Sequence, residues 1–466
     1  MKRTKIVATI GPATSSEQML EKIFAEGVNV MRLNFSHGDF AEHQEKLDNA
    51  AKVASRAGLS YATLQDLGGP KIRICDFYKE SIVLEEGKTF TLTTDKIIGD
   101  EKKVYINYSL LPKEVKKGGF IMLHDGKKKL LIKQIKEKEV VCEVIIGGEI
   151  KGRRGVNLPG AKLSIGSLAV KDKKDLEFGI KNKVDFIALS FVRRASDIEE
   201  LRKILRKRGS ESNIISKVED TEALENIESI IEASDGIMIG RGDFGIEIGV
   251  ENLPMTQKNI IRRCNIAGKP VITATHMLES MISSPVPTRA EVSDIANAVL
   301  DGTDAVMLSE ETTLGKYPVE SVRVMAKVAE AAEKGLGKSN IFFNHNGSVR
   351  DSVSEAAMKL AENIDAKVIV ALTQSGFTAR MIARHRPKQC IVALTPSRKV
   401  LNQLNLVFGC KSAFIEKLDS VSAAIKEAKS YCAENKIAAK GDRIVIVAGT
   451  PFGKSGTTNT IVAEKL

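Results

Sequence analysis

The sequence predicts an α/β protein: a (β/α)8 barrel of the TIM type, interrupted by a small inserted β-barrel lid and followed by an open α/β domain. Three observations carry this. A short apolar run followed by an amphipathic helical stretch recurs about eight times in the first two thirds of the chain, the count that closes a parallel barrel. From about Lys71 to Ala161 the pattern changes to short alternating runs among Lys and Gly residues, as in a small β domain. From about Ser348 strand-like and helix-like stretches alternate again and end in two apolar runs, as in an open sheet. A length of 466 residues exceeds one ordinary core. The expected limits are 1–70 with 162–345 for the barrel, 71–161 for the lid and 346–466 for the C-terminal domain.

The elements follow in order. Thr4–Ile10 reads as a strand, with a helix from Ser15 in a capping box with Gln18 and an apolar stripe of Met19, Leu20, Ile23 and Phe24. Val28–Asn34 is the second strand, and its helix runs from about Asp39 to Arg56, closed by Gly58. Ser60–Gln65 is the third, ending in Asp66-Leu67-Gly68-Gly69-Pro70. In the insert, Ser81–Leu84, Thr89–Thr93 and Val140–Ile146 alternate, His124-Asp125-Gly126-Lys127 signals a hairpin, and Pro70 and Pro159-Gly160 are expected hinges. The repeat resumes with a helix over Val170–Ile180, the strand Val184–Ser190 and a helix from Ser196 boxed with Glu199. The strand Ile214–Glu219 precedes a helix Glu222–Ala233. Gly236–Ile239, Pro270–Ala274 and Ala305–Leu308 complete the strands, with helices from about Pro254, Thr288 and Pro318. The C-terminal strands are expected at Lys367–Leu372, Cys390–Leu394, Lys411–Ile415, Arg443–Ala448 and Thr460–Ala463.

Composition narrows the function. With 43% hydrophobic and 28% charged residues the chain reads as globular. The net charge of +11 suits anionic small molecules or nucleic acid. No basic stretch is interleaved with stacking aromatics, which argues against nucleic acid. Six scattered cysteines show no metal spacing and are expected to be reduced. Met1-Lys2-Arg3 leads into the first strand without a signal-type apolar region, and no run has transmembrane length, so a cytoplasmic protein away from membranes is expected.

A barrel places its working residues at the C-terminal ends of its strands. There stand Arg32, Asn34, Ser36 and His37, then Asp66, Lys217 with Glu219, Asp243, Thr275 with His276, and Ser309 with Glu311. One such pair is ordinary surface polarity, whereas a ring over six strands points to a site. Lys217 and Glu219 lie two apart on a strand and so share a side. Glu219 and Asp243 are hard oxygen donors suited to Mg²⁺ or Mn²⁺. Arg32, Arg73 and Lys217 can hold a phosphate. Two carboxylates, a divalent ion and converging cations fit phosphoryl transfer, in which catalysis is mostly positioning and charge neutralisation. A metal-dependent barrel lyase, and a non-catalytic sensor or nucleic-acid binder using the basic surface, are the alternatives. Gly240-Arg241-Gly242-Asp243-Phe244-Gly245 imitates a dinucleotide motif, but Asp243 would abut a pyrophosphate and Ile246–Val250 is a poor helix start. Gly449–Ser455 imitates a phosphate loop with one residue too few.

The whole chain resembles the pyruvate kinase family. The resemblance is carried by Thr9-Ile10-Gly11-Pro12, Arg32-Leu33-Asn34-Phe35-Ser36-His37-Gly38, Gly69-Pro70-Lys71-Ile72-Arg73 and Gly155-Val156-Asn157-Leu158-Pro159-Gly160. It continues with Ser216-Lys217-Val218-Glu219, Arg241-Gly242-Asp243, Ala274–Ser280 and Pro287–Glu291. It implies transfer of the phosphoryl group of phosphoenolpyruvate to ADP, then protonation of the enolate to pyruvate; the lyase alternative would act on pyruvate or phosphoenolpyruvate without ADP. It further implies that Lys217 stabilises the moving phosphoryl group, that Glu219 and Asp243 hold the divalent ion, and that Arg32 binds the phosphate. The Gly242 and Asp243 backbone would take the carboxylate and Thr275 would face the enolate, with Ser309 and Glu311 on a proton path. Arg73, Asn34, His37 and Arg154 would lie toward the nucleotide, which brings a second metal ion. A homotetramer is also implied.

Five positions depart from the family pattern: Leu67, Lys71, His276, Phe377, and Arg154, which stands where lysine is usual and keeps the charge. Members that require K⁺ resemble one another in an Asn, Ser, Asp and Thr ligand set and a glutamate at the place of Lys71. Here Asn34, Ser36 and Asp66 remain, but Leu67 replaces the threonine. A unit charge about 4 Å from a phosphate charge is worth about 4 kcal/mol at an effective dielectric of about 20, comparable with a bound monovalent ion. Lys71 is therefore expected to replace K⁺. His276 stands where glutamine is usual. In the last domain, Thr373, Ser375, Gly376 and Thr378 lie in a strand-to-helix turn that resembles the family's grip on a phosphorylated allosteric effector, with Phe377 where fructose-1,6-bisphosphate responders often carry Arg.

Overall fold

The computed structural model describes residues 2–336, 348–416, 420–451 and 457–466. Eight parallel strands close a barrel: β1 (Lys5–Thr9), β2 (Val30–Asn34), β3 (Ala62–Asp66), β4 (Phe186–Leu189), β5 (Asn213–Val218), β6 (Gly236–Gly240), β7 (Val271–Ala274) and β8 (Ala305–Leu308). Closure is made by β8 against β1, from Lys5↔Ala305 to Ala8↔Leu308. The strands are apolar nearly throughout because one face fills the interior and the other meets helices. Val7, Val30, Leu64, Phe186, Ile215, Met238, Ile272 and Met307 form the inner cluster. Ile6, Ala8, Met31 and Leu33 face the helix layer instead.

Most helix ends lie where the capping chemistry puts them. Asp39 caps Phe40–Ala57 by accepting from the Glu42 N–H, and Gly58 closes it in the left-handed region. Thr288 and Glu291 form the expected reciprocal box on Arg289–Leu300. Four expectations are corrected. The first helix, Glu17–Ala25, is capped by Ser16 rather than Ser15, since Ser16 accepts from the Met19 N–H. Helix Ala195–Lys207 starts one residue before Ser196, and its box partner is Asp197, which accepts from the Arg193 and Arg194 N–H groups. The stretch expected as one helix over Glu222–Ala233 is two, Thr221–Glu225 and Ile227–Ala233. The break is at Asn226, whose amide donates to the Arg193 and Glu222 carbonyls. Helix Arg241–Ile248 begins directly at the end of β6, so the glycines there do open a helix, and it stops at Gly249.

The insert holds a six-stranded sheet and a two-stranded ribbon around a core that includes Phe90, Leu92, Ile121, Leu130, Val140 and Cys142. Two bulges bend its strand Lys128–Ile135, and the two edges of the sheet are joined by Arg73 and Ile74, which bridge to Gly155 and Ile106. The Ile74 N–H donates to the Arg154 carbonyl at 3.1 Å and the Cys75 N–H to the Tyr105 carbonyl at 2.8 Å, so this short segment completes the expected small barrel.

The C-terminal sheet runs Cys410–Phe414, Cys390–Thr395, Val368–Leu372, Arg443–Gly449 and Thr458–Lys465, and only the last pairing is antiparallel. Of the phosphate-loop imitation at Gly449–Ser455, residues 452–455 lie outside the described residues, and a strand follows at Thr458. All six cysteines are free, and among the described residues no helix is long and apolar enough to cross a membrane.

The C-terminal domain docks on the N-terminal end of the barrel, away from the polar rim. Leu406 joins the barrel's inner cluster from below. Arg386 bonds Asp304 at 2.9 Å, just before β8, and stacks over Phe408 at 4.7 Å. Lys5 donates to the Cys410 carbonyl at 2.6 Å. Because Arg386 and Asp304 are both buried, Arg386→Ala should strip a buried carboxylate of its partner and cost about 3–5 kcal/mol. The loss is read as a lowered thermal midpoint together with easier proteolysis between barrel and C-terminal domain.

Candidate active site

The polar rim closes on Lys217, near the end of β5. Its ammonium donates to the Ser190 hydroxyl at 2.7 Å and lies 3.1 Å from Glu219 and 3.3 Å from Asp66. Burial pulls this ammonium down, but Asp66 and Glu219 outweigh it and the net direction is up, so the amine stays charged. Asp66 is itself shared. Its other oxygen receives Arg32 Nε and Nη2, each at 2.7 Å. Burial raises Asp66, while Lys217 and Arg32 together hold it below the usual carboxylate range. Arg32 is fixed further by donating to the Thr9 hydroxyl at 2.7 Å, which in turn donates to the Leu308 carbonyl.

Glu219 is held differently. Phe191, with φ at +52°, turns its N–H onto Glu219 Oε2 at 2.9 Å. Burial first, then the neighbouring Asp243 and Asp66, push Glu219 up against the opposing pull of Lys217. A buried glutamate raised by a neighbouring aspartate in the same cavity suits a hard divalent cation, which would relieve that repulsion. Among the described residues no three His, Cys, Asp or Glu side chains converge with metal geometry. Glu219 and Asp243 therefore fit an ion whose shell is completed by substrate oxygens and water. A Cβ on Gly240 would stand 2.7 Å from Glu219 Cγ and Oε1, so the carboxylate needs glycine there.

On the far side of the rim, Arg241 is buried and donates to the Ala274 and Thr275 carbonyls at 3.1 and 2.7 Å, while its Nη1 holds Asp294 at 2.7 Å. That grip keeps Thr275 and His276 in left-handed backbone, at φ +75° and +57°. Thr275 Cγ2 lies beside Gly242 as a result. Glu311 accepts from the Ser309 N–H at 2.6 Å and the Leu278 N–H at 3.0 Å, and burial pushes its carboxyl up. His276 stays exposed beside Glu279, at 3.5 Å.

The insert roofs this floor. A cavity of about 370 Å³ is lined by Glu219, Asp220, Asp243 and Glu247 from the barrel and by Lys71, Arg73, Asp125, Arg154 and Asn157 from the insert and its neck. Asn157 donates to Asp243 Oδ1 at 3.0 Å across the gap. Arg154 Nε is buried without a protein partner. Partial desolvation, then Arg73 and Lys217, push Lys71 down, while Asp66 and Asp243 pull it back up. Lys71, exposed overall, thus has its charge within reach of the central cluster. His37 is lowered by burial and then by Lys71, Arg73 and Arg32, which places it on the same side. Asn34 accepts from the Ser36 N–H at 3.1 Å. Leu67 is fully buried in an apolar cluster, and its carbonyl accepts from the Ser190 hydroxyl at 2.7 Å. The oxygen offered at position 67 is therefore main-chain, which leucine retains.

The effector-type turn lies in the other domain. Gly376 adopts φ +76° and Thr378 pairs its hydroxyl with Thr458 at 2.9 Å. The sequence reading overlooked Ser190, Asp220 and Glu247 as site neighbours and did not use Asn157 or Arg241. Ser190 carried a signal, since it ends an apolar strand. A Cβ at Gly240 should misdirect Glu219, so Gly240→Ala, whose φ of −86° suits alanine, should lower kcat/KM about 100-fold with the chain still folded by circular dichroism.

Two family models match: the pyruvate kinase barrel domain over residues 1–322 and the pyruvate kinase alpha/beta domain over residues 351–463. A pyruvate kinase of Staphylococcus epidermidis is 45% identical over 465 residues, covering 98% of this chain and 80% of the relative. Another, from Staphylococcus saprophyticus, is 45% identical over 466 residues with the same coverage. A crystal structure of a pyruvate kinase from Cryptosporidium parvum superposes with a TM-score of 0.92 at 35% identity, over 100% of this chain and 96% of that one.

Proposed function

Because the chain belongs to the pyruvate kinase family, we propose specific roles for its rim residues in the reaction it performs. That reaction moves the phosphoryl group of phosphoenolpyruvate to ADP and leaves pyruvate and ATP; the comparisons favour it over a lyase. The P–O bond to the enol oxygen breaks as a β-phosphate oxygen of ADP bonds to phosphorus, and the enolate then gains a proton at carbon. Lys217 and Arg32 face the charge that spreads over the phosphoryl oxygens, and Asp66 keeps both aimed at it. The Gly242 and Asp243 main chain receives the substrate carboxylate, and Thr275 lies against the enolate. Glu311, raised by burial, orders Ser309 for the proton path. Arg73, Arg154, Asn34 and His37 take the nucleotide. Mg²⁺ or Mn²⁺ held by Glu219 and Asp243 supplies neutralisation of substrate oxygens when bound. The observation that carries this reading is the buried Lys217 ammonium within 3.3 Å of carboxylates from two strand ends. Lys217→Met should lower kcat about 100- to 1,000-fold in an assay coupling pyruvate formation to phosphoenolpyruvate, ADP and Mg²⁺. Retention of wild-type turnover would remove Lys217 from the mechanism.

The finer proposals rest on the same site. Lys71 replaces the monovalent ion that Asn34, Ser36 and Asp66 would otherwise help to hold, supported by its electrostatic reach to Asp66 and Lys217. Replacing K⁺ by tetramethylammonium should leave the rate unchanged, and a large drop would restore the K⁺ requirement. The turn bearing Thr373, Ser375, Gly376 and Thr378 is proposed to receive a phosphorylated effector. Titration with sugar phosphates and AMP should shift phosphoenolpyruvate affinity if it does. We place the domain limits at 1–70 with 162–345, 71–161 and 346–466, and propose a cytoplasmic homotetramer; the last boundary lies outside the described residues.

A further inference from the structure

Helix Arg241–Ile248 is two turns long and carries more than its first turn's share of the site. Asp243, Ile246 and Glu247 stand at i, i+3 and i+4, so they share one face. Each is met by a residue of the insert. Asn157 donates to Asp243 Oδ1 at 3.0 Å. The next residue, Leu158, turns its backbone N–H to the Glu247 carboxyl. The hairpin tip crosses Ile246 so closely that a Cβ on Gly126 would stand 3.2 Å from Ile246 Cγ1. Gly126 has φ +79°, which a hairpin tip of this shape requires. Glu247 is also approached from the barrel side by the Thr221 hydroxyl at 3.5 Å. Two separate segments of the insert, the tip and the returning strand, therefore rest on one short helix.

We propose that this helix is the seat of the lid, and that Glu247 and Ile246 are positioning residues that hold the lid down so that Asn157 keeps Asp243 aimed at the divalent ion. The proposal rests on the reading of Asp243 as a ligand of that ion. The geometry joins two events that sit on different domains. The insert carries Arg73 and Arg154 on the nucleotide side, while Asp243 belongs to the floor. Seating the insert on Ile246 and Glu247 brings both into place together. Glu247 is pushed up to about 8, by burial first and then by Asp220 and Asp243. Glutamine keeps a side-chain oxygen at the same place that can accept the Leu158 N–H.

The test uses the full-length enzyme and four variants: Glu247→Ala, Glu247→Gln, Ile246→Ala and the double Ile246→Ala/Glu247→Ala. Hydrogen exchange over residues 123–127 and 155–160 of the insert should speed up in both alanine variants, while exchange in the barrel strands stays at the wild-type rate. Mn²⁺ binding followed by electron paramagnetic resonance, without substrates, should weaken about 10-fold. kcat should fall by a similar factor, whereas KM for phosphoenolpyruvate should stay near wild type, because Lys217 and Arg32 are untouched. Glu247→Gln should restore exchange, Mn²⁺ affinity and kcat together. The double variant should be less impaired than the product of the single effects, since both residues serve one seat. Wild-type lid exchange and Mn²⁺ affinity in Glu247→Ala would overturn the proposal, as would failure of glutamine to rescue a loosened lid. If Glu247→Ala fails to fold, Ile246→Ala and Glu247→Gln decide by the same readouts. Absence of pyruvate formation by the wild type would overturn the functional reading instead and leave the exchange result standing on its own.

Discussion

Two buried cations share one buried carboxylate. Asp66 gives one oxygen to Arg32 and the other to Lys217, and almost everything at the rim is arranged around that division. A lone buried charge costs several kcal/mol, and two cations left to themselves repel. Asp66 removes both problems and also sets direction, because Arg32 comes from β2, Lys217 from β5 and Asp66 from β3 between them. The two cations therefore converge toward the barrel axis instead of folding back to solvent. Ser190 and the Leu67 carbonyl continue the network on one side, Thr9 and the Leu308 carbonyl on the other. Such a connected set is rigid because every member is satisfied by the next.

The second arrangement is one of backbone under constraint. Phe191, Thr275 and His276 occupy left-handed conformations that ordinary residues avoid. Phe191 is held by the Glu219 carboxylate and Thr275 by Arg241. In each case a polar side chain at one strand end fixes the main chain at a neighbouring one. The rim is thus a ring of mutual constraints, and its members are set by neighbours more than by their own strands.

Much of this was legible in the sequence, for a physical reason. Strand ends in a barrel are fixed by where apolar runs stop, so Arg32, Asp66, Lys217, Glu219 and Asp243 could be assembled from position alone. Capping is also local chemistry, and Asp39 and Thr288 were read correctly. Ser15 has Gln18 three residues on and so reads as the boxed cap, yet Ser16, with Met19 in that place, is the one that caps, because the path of the chain chooses. The break at Asn226 was invisible because its cause, the Arg193 carbonyl, is 33 residues away in sequence. The same holds for Asn157 on Asp243, a contact across 86 residues and two domains. Leu67 shows the converse: a side-chain change drew attention, while the atom that matters there is main-chain. The small barrel expected of the insert is closed by Arg73 and Ile74, a segment too short to show as an alternating run of its own.

The insert leaves and rejoins the barrel at nearly one point. The Gly69 N–H reaches Asp172 at 3.2 Å, and Arg73 is bridged to Gly155. β3 meanwhile pairs only with β2 and β4, and the insert keeps its own apolar core. The ninety-odd residues in between are therefore topologically silent, like an annexe joined to a house by a single doorway. Bricking up that doorway would leave the house standing, with its hearth open to the rain.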